Sequence, residues 1–139
     1  MTELKILING TAAVIGWIIG AYIGGLNGLL IAMLGCMTVD YVTGVLAAVR
    51  AHTVSSNVGF WGLIRKGCML LVVGLGNLLD VHVLDGSGMA RNACCLFYIS
   101  NEGISILENM INLGVKVPNK LKRILAELQE EEDDEEPMD

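Results

Sequence analysis

An all-helical integral membrane protein, built as a bundle of four transmembrane helices, is the fold class this sequence predicts. Three observations predict it. Apolar residues make up 53% of the 139-residue chain and charged residues only 17%, against about 25% charged in a soluble domain. The apolar residues gather into four long runs, and the mean hydropathy is +0.59. The basic residues fall around those runs in a pattern that gives one consistent orientation.

The runs cover residues 6–23, 26–49, 63–84 and 92–113. Each reaches or approaches the roughly 20 residues that cross a bilayer as a helix. Helices are expected because each satisfies its own backbone hydrogen bonds in lipid. Lys5 ahead of the first run imitates a signal peptide, but no small-x-small cleavage site and polar mature segment follow, so the run reads as a retained helix. Gly24-Gly25 forms the turn into the second run.

Eight of the nine bases then fall on one side of a four-pass chain: Lys5, Arg50, Arg65, Lys66, Lys116, Lys120, Lys122 and Arg123. Only Arg91 falls on the other. The positive-inside rule places both termini in the cytoplasm. Arg65, Lys66, Lys120, Lys122 and Arg123 read as anchors at the inner face of the membrane. Residues 1–117 form the transmembrane domain. Residues 118–139 form a cytoplasmic amphipathic helix, with Leu121, Ile124, Leu125 and Leu128 on one face, and a disordered acidic tail. The last thirteen residues hold nine of the fifteen acids. The net charge of −6 is therefore a property of the tail, which disfavours nucleic acid.

The fourth run is amphipathic. Asn101, Ser105, Glu108 and Asn112 follow helical spacing along one stripe, widened by Glu102 and Asn109, with Leu96, Ile99, Ile106 and Met110 opposite. Such a helix spans with its polar face in a bundle or pore, or lies on the surface. In the first run, Gly16, Gly20 and Gly24 recur every four residues and form a ridge for close helix approach. It packs helices within one subunit or between copies in a homo-oligomer.

No phosphate loop, nucleophile elbow, zinc-protease or dinucleotide fingerprint occurs, so an enzyme is not expected. Cys36, Cys68, Cys94 and Cys95 lack zinc-ligand spacing and read as small packing residues. Neither metal nor cofactor is implied. The chemical signal is the set of acids inside apolar runs, Asp40, Asp80, Glu102 and Glu108. A charge at the bilayer centre costs roughly 2.5–3.5 kcal/mol on insertion scales. Such acids are either hydrogen-bonded packing residues or the polar seam of a water path.

These residues resemble the toxin-secretion/phage-lysis holin family. The resemblance lies in Asp40-Tyr41-x-Thr43-Gly44 and in Ser55-Ser56-x-x-Gly59-x-x-Gly62-Leu63-x-Arg65-Lys66. It continues through Asp80, through Asn101-Glu102-x-x-Ser105-Ile106-x-Glu108-Asn109, and through Gly114-Val115-x-Val117-Pro118. It implies a small protein that accumulates in the bacterial cytoplasmic membrane, oligomerises and opens lesions. An endolysin, or a large toxin, then escapes as released cargo without necessary direct binding. Carried over, Asp40, Asp80, Asn101, Glu102, Glu108 and Asn109 form the intramembrane polar set. The next methionine after Met1 is Met33, so the paired start of some holins is not visible. A small proton-coupled transporter is the alternative that four short helices with membrane acids also fit.

Overall fold

The computed structural model describes residues 1–121 and 123. Four helices run through them, α1 (Thr2–Ile23), α2 (Gly28–Arg50), α3 (Ser56–His82) and α4 (Met89–Asn112), with no strand among the described residues. The chain turns helical again at Asn119, after Pro118, and Lys120 and Arg123 are exposed. The rest of the expected tail helix, with Lys122, Ile124, Leu125 and Leu128, and the acidic terminus lie outside the described residues.

Local chemistry sets the helix ends. α1 stops at Gly24, which takes the left-handed conformation (φ 85°, ψ 24°) and donates its N–H to Gly20 O at 3.0 Å. Glycine adopts this geometry without a Cβ clash. Asn27 caps α2 by accepting the Leu30 N–H at 2.8 Å, which satisfies one of the orphan donors of the first turn. α3 begins at Ser56, seven residues before the apolar run at 63. Ser56, Asn57 and Gly59 lower the hydropathy of its first turns without opposing a helix, so an apolar count starts too late.

α1, α2 and α3 are long and apolar enough to cross a membrane. α4, the fourth expected span, is as long but more polar. Its polar side turns inward. α4 packs most extensively on α2 and then on α3, while α2 and α3 scarcely touch each other. It runs antiparallel to α3, since Asp80 meets Arg91 and Lys66 meets Glu102. It runs parallel to α2, since Arg91 reaches Gly25 O and Asn109 reaches Asp40. The amphipathic helix is thus the hub that joins two apolar neighbours.

The apolar core fills one half of this three-helix unit, with Leu30, Met33 and Met37 from α2, Val73 from α3 and Cys95 from α4. At Gly76 on α3 the backbones close in. A Cβ there would lie 3.1 Å from Arg91 N and Cα.

α1 stands apart. Residues 2–19 are exposed throughout, and the helix joins the bundle at its last turn. Asn77 donates to Ala21 O at 3.3 Å and Tyr22 O at 3.0 Å, and Tyr22 Oη donates to Leu71 O at 2.8 Å. The Tyr22 ring occupies the space a side chain at Gly74 would need, and Gly24 lies against the Asn77 side chain. Among the described residues, a Cβ at Gly16 or Gly20 would meet nothing within 4 Å.

The close approach at Gly76 is testable. Gly76→Ala puts a methyl against backbone atoms that cannot rotate away, and overpacking of this kind costs about 1–3 kcal/mol. Thermal unfolding in detergent micelles is expected to show a lowered midpoint. Gly62→Ala, whose Cβ meets nothing within 4 Å, is expected to leave it unchanged. Equal midpoints for the two variants would contradict the close approach.

Candidate functional site

Lys66 lies at the centre of the polar residues. Its Nζ donates to Asp40 Oδ2 at 2.8 Å and to Glu102 Oε2 at 2.5 Å. One ammonium therefore joins α2, α3 and α4. All three side chains are largely buried, Glu102 most deeply at 4% exposure. Asn109 supports the group from α4. Its Nδ2 donates to Asp40 Oδ1 at 3.1 Å, to Asp40 O at 3.3 Å and to Thr43 Oγ1 at 3.1 Å. Thr43 Oγ1 in turn donates to Asp40 O at 3.1 Å.

The sequence reading puts Lys66 beside Arg65 at the membrane face. The structure puts it inside the bundle, because α3 starts at Ser56. Lys66 is ten residues from that start, Asp40 ten from the end of α2 at Arg50, and Glu102 ten from the end of α4 at Asn112. At 1.5 Å per residue each lies about 15 Å in from the same end of the bundle. The three charges share one depth because the three helices share one register.

A cavity of about 650 Å³ leads from the cluster toward that end. Asp40, Asn101, Glu102, Ser105, Glu108 and Asn109, all expected as intramembrane polar residues, line it together with Lys66. Arg65 lines it too, from an exposed position. The loop at Thr53, Val54 and Ser55 lines its outer rim. Gly44, Gly59 and Gly62 thin its walls, and a Cβ at Gly62 would project into open space. The apolar core lies on the other side of the cluster. The unit thus has an open half, lined by polar and apolar side chains together, and a packed, apolar half.

Two expected members of the polar set lie elsewhere. Asn112 is exposed at the last turn of α4. Asp80 is at the opposite end of the bundle and 2% exposed. Its Oδ1 accepts the Ala90 N–H at 2.9 Å and its Oδ2 the Arg91 N–H at 2.8 Å. Asp80 therefore caps α4 from α3, at the helix end where a carboxylate is favoured by both hydrogen bonding and the macrodipole. The Arg91 guanidinium donates to Gly25 O and ties the α1–α2 turn to this cap, while its buried Nε has no hydrogen-bond partner among the described residues. Sequence reading missed the roles of Lys66, Thr43, Asn77 and Arg91.

A buried ion pair contributes little net stability, because desolvation offsets the Coulomb gain, but removing one partner costs about 3–5 kcal/mol. Lys66→Met strands two carboxylates and is expected to lower the unfolding midpoint strongly. Adding Asp40→Asn and Glu102→Gln removes the stranded charges and is expected to recover much of the loss. A triple variant no more stable than Lys66→Met would refute the ion-pair account. At the other end, Asp80→Leu uncaps α4, and Asp80→Asn keeps one acceptor. Amide exchange at Ala90 and Arg91 is expected to rise more in the leucine variant.

The bacteriophage holin family model matches residues 17–130 of the chain. A 14.9 kDa protein of Clostridium perfringens is 41% identical over 112 residues, which cover 81% of this chain and 82% of that one. A Listeria innocua protein is 37% identical over 134 residues, 96% of this chain and 91% of its own length. A protein of Bacillus phage phi105 named as a probable holin is 39% identical over 98 residues, 70% of this chain and 72% of that one. No solved structure matches the chain. The matched residues include α2, α3, α4 and every member of the charge cluster, and the chain belongs to the bacteriophage holin family.

Proposed function

We propose that this protein is a non-enzymatic holin that oligomerises in the bacterial cytoplasmic membrane and forms lesions. Through these an endolysin, or a large toxin, leaves the cell. One observation carries the reading beyond family membership. The Lys66–Asp40–Glu102 cluster lies about 15 Å in from one end of the bundle, joined to that end by a cavity and separated from the other by the apolar core. A passive anchor has no use for charges there, since intramembrane ionisable residues are costly and mark polar pathways. Separation of α2 from α3 would extend the polar cavity through the bundle, and those two helices have little mutual contact to lose.

All four helices cross the membrane in this reading, α4 included, with its polar face turned onto α2 and α3. The end that bears Arg50, Arg65, Lys116 and Lys120 faces the cytoplasm, as the positive-inside rule supports. Both termini are then cytoplasmic. Copies of the chain meet through α1, where a Cβ at Gly16 or Gly20 would meet nothing within 4 Å among the described residues.

Induced expression in a bacterium tests the core of this. It is expected to stop growth and collapse the membrane potential, and lysis is expected to follow when an endolysin is co-expressed. Unchanged potential despite verified membrane accumulation would overturn the lesion reading, and selective flux without leakage would favour a transporter. For topology, a cysteine near Asp139 in a cysteine-free background is expected to resist an impermeant thiol reagent in intact spheroplasts.

The α1 ridge gives a separate test. Gly16→Leu and Gly20→Leu fill no space inside the subunit, so the unfolding midpoint is expected to hold. Crosslinked species larger than the monomer are expected to diminish, because bulk on a small-residue ridge blocks close helix approach. Undiminished oligomers with both variants would remove the ridge from the contact between copies.

A further inference from the structure

We propose that the cavity beside the Lys66–Asp40–Glu102 cluster is a binding site for a primary ammonium, which donates to Glu102 at the inner end and lays a short apolar body along the wall. This goes beyond the lesion-forming reading and does not depend on it.

Glu102 supplies the acceptor. Its Oε2 takes Lys66 Nζ, whereas its Oε1 accepts no hydrogen bond among the described residues. The side chain is 4% exposed and lines the cavity. Arg91 Nε is the one polar side-chain atom among the described residues that is both sealed from solvent and without a partner, so Glu102 Oε1 is open to the cavity. Asp40 differs, since its Oδ2 takes Lys66 and its Oδ1 takes Asn109. One ammonium faces two carboxylates, so the cluster has one formal negative charge in excess. Arg65 and Glu108, the other charged groups of the lining, offset each other. A second ammonium at Oε1 gives two cations to two carboxylates. It balances a charge that is costly to leave unpaired away from water.

The lining selects the chemical class. An ionised carboxylate only accepts, and an N–H that carries charge makes the stronger bond to it. A quaternary ammonium has no N–H to give, and Tyr41 is the one aromatic residue among the described lining residues, too few for an aromatic cage. A divalent cation takes several oxygen ligands. Among the described residues no three acids, histidines or cysteines are grouped to hold one, and Lys66 already stands against the same carboxylate. The apolar part of the wall is Val45 and Ala48 from α2, Val58 and Met69 from α3, and Ile104 from α4. A volume of about 650 Å³ is within the range of small-ligand pockets, which join apolar walls to a few placed polar groups. α2 and α3 scarcely touch, so the space between them is open to a ligand that enters past Thr53, Val54 and Ser55. A free alkyl amine and the ethanolamine headgroup of a phospholipid both carry this chemistry.

Equilibrium dialysis of radiolabelled n-butylammonium against the full chain in non-ionic detergent micelles, with protein-free micelles as the blank, reads the binding directly. It requires no lesion, so failure of the site and failure of the lesion reading are told apart. One saturable site per chain is expected. Unlabelled n-butylammonium is expected to compete, while n-butanol, which lacks the charge, and tetramethylammonium, which lacks the N–H, are not. Glu102→Gln keeps an acceptor and removes the charge. It is expected to weaken binding about tenfold, the usual difference between a hydrogen bond to a charged group and one between neutral groups. Gly62→Leu puts bulk into the cavity from a wall where a Cβ meets nothing within 4 Å, and is expected to abolish binding. Helical circular dichroism checks that both variants fold. Competition by dihexanoyl phosphatidylethanolamine, and not by dihexanoyl phosphatidylcholine, would make the headgroup a source of the ammonium. Competition by neither would leave the free amine, and both outcomes uphold the site. Absence of saturable binding to the folded native chain, displacement by n-butanol as effective as by the amine, or full affinity in both folded variants would overturn it.

Discussion

The structure depends on one ammonium shared between two carboxylates. Lys66 is on α3, Asp40 on α2 and Glu102 on α4, so a single ammonium joins all three helices. The arrangement is costly to desolvate, and a well-packed apolar core of the same volume would stabilise the fold as well or better. What charges supply is register. Three helices in lipid can slide along one another with little change in apolar contact, because lipid tails are as apolar as leucine. An ammonium that must meet two carboxylates fixes the axial position of each helix. Asn109 and Thr43 then hold Asp40 in the geometry the contact requires.

That constraint divides the bundle. Beyond the cluster, Leu30, Met33, Met37, Val73 and Cys95 close a dry half. At its far end the backbone groups exposed by two helix termini are satisfied from α3. Asp80 takes the first N–H groups of α4, and Asn77 takes the last carbonyls of α1. Such satisfaction is obligatory where water is scarce. On the near side of the cluster the small residues Gly44, Gly59 and Gly62 leave room, and polar side chains line the space. The acids of this chain thus do two kinds of work. Asp80 closes an end, and Asp40 and Glu102 hold the middle.

The four helices were legible in the sequence because length and hydropathy determine them in lipid, and three satisfy that criterion in the structure. Asp40, Glu102, Glu108 and Asn109 were legible as one polar set because helical spacing puts the α4 members on one face. What apolar counting could not find is where α3 begins. Ser56, Asn57 and Gly59 weaken hydropathy but permit a helix, so Lys66 read as an interface anchor rather than a buried partner. The role of Asp80 was hidden for a different reason. A carboxylate that caps a neighbouring helix acts across ten residues of turn and helix start, which no periodicity along one segment encodes.

The same solvent argument bears on α1. In water an apolar helix exposed over residues 2–19 would collapse onto the bundle. In lipid there is no hydrophobic drive to do so, and helices associate through close small-residue packing and hydrogen bonds. α1 makes such contacts at one place, where Tyr22 lies over Gly74 and Asn77 reaches the last carbonyls. Its Gly16–Gly20 ridge lies farther along, and among the described residues nothing packs within 4 Å of where its side chains would begin. The subunit therefore completes its own charge cluster with α2, α3 and α4 and leaves the ridge for another partner. In the proposed lesion-forming function, a second copy presenting the same ridge would satisfy the packing requirement without disturbing Lys66. Accumulation in the membrane and integrity of the subunit would then be compatible, because the contact between copies and the charge cluster use different helices.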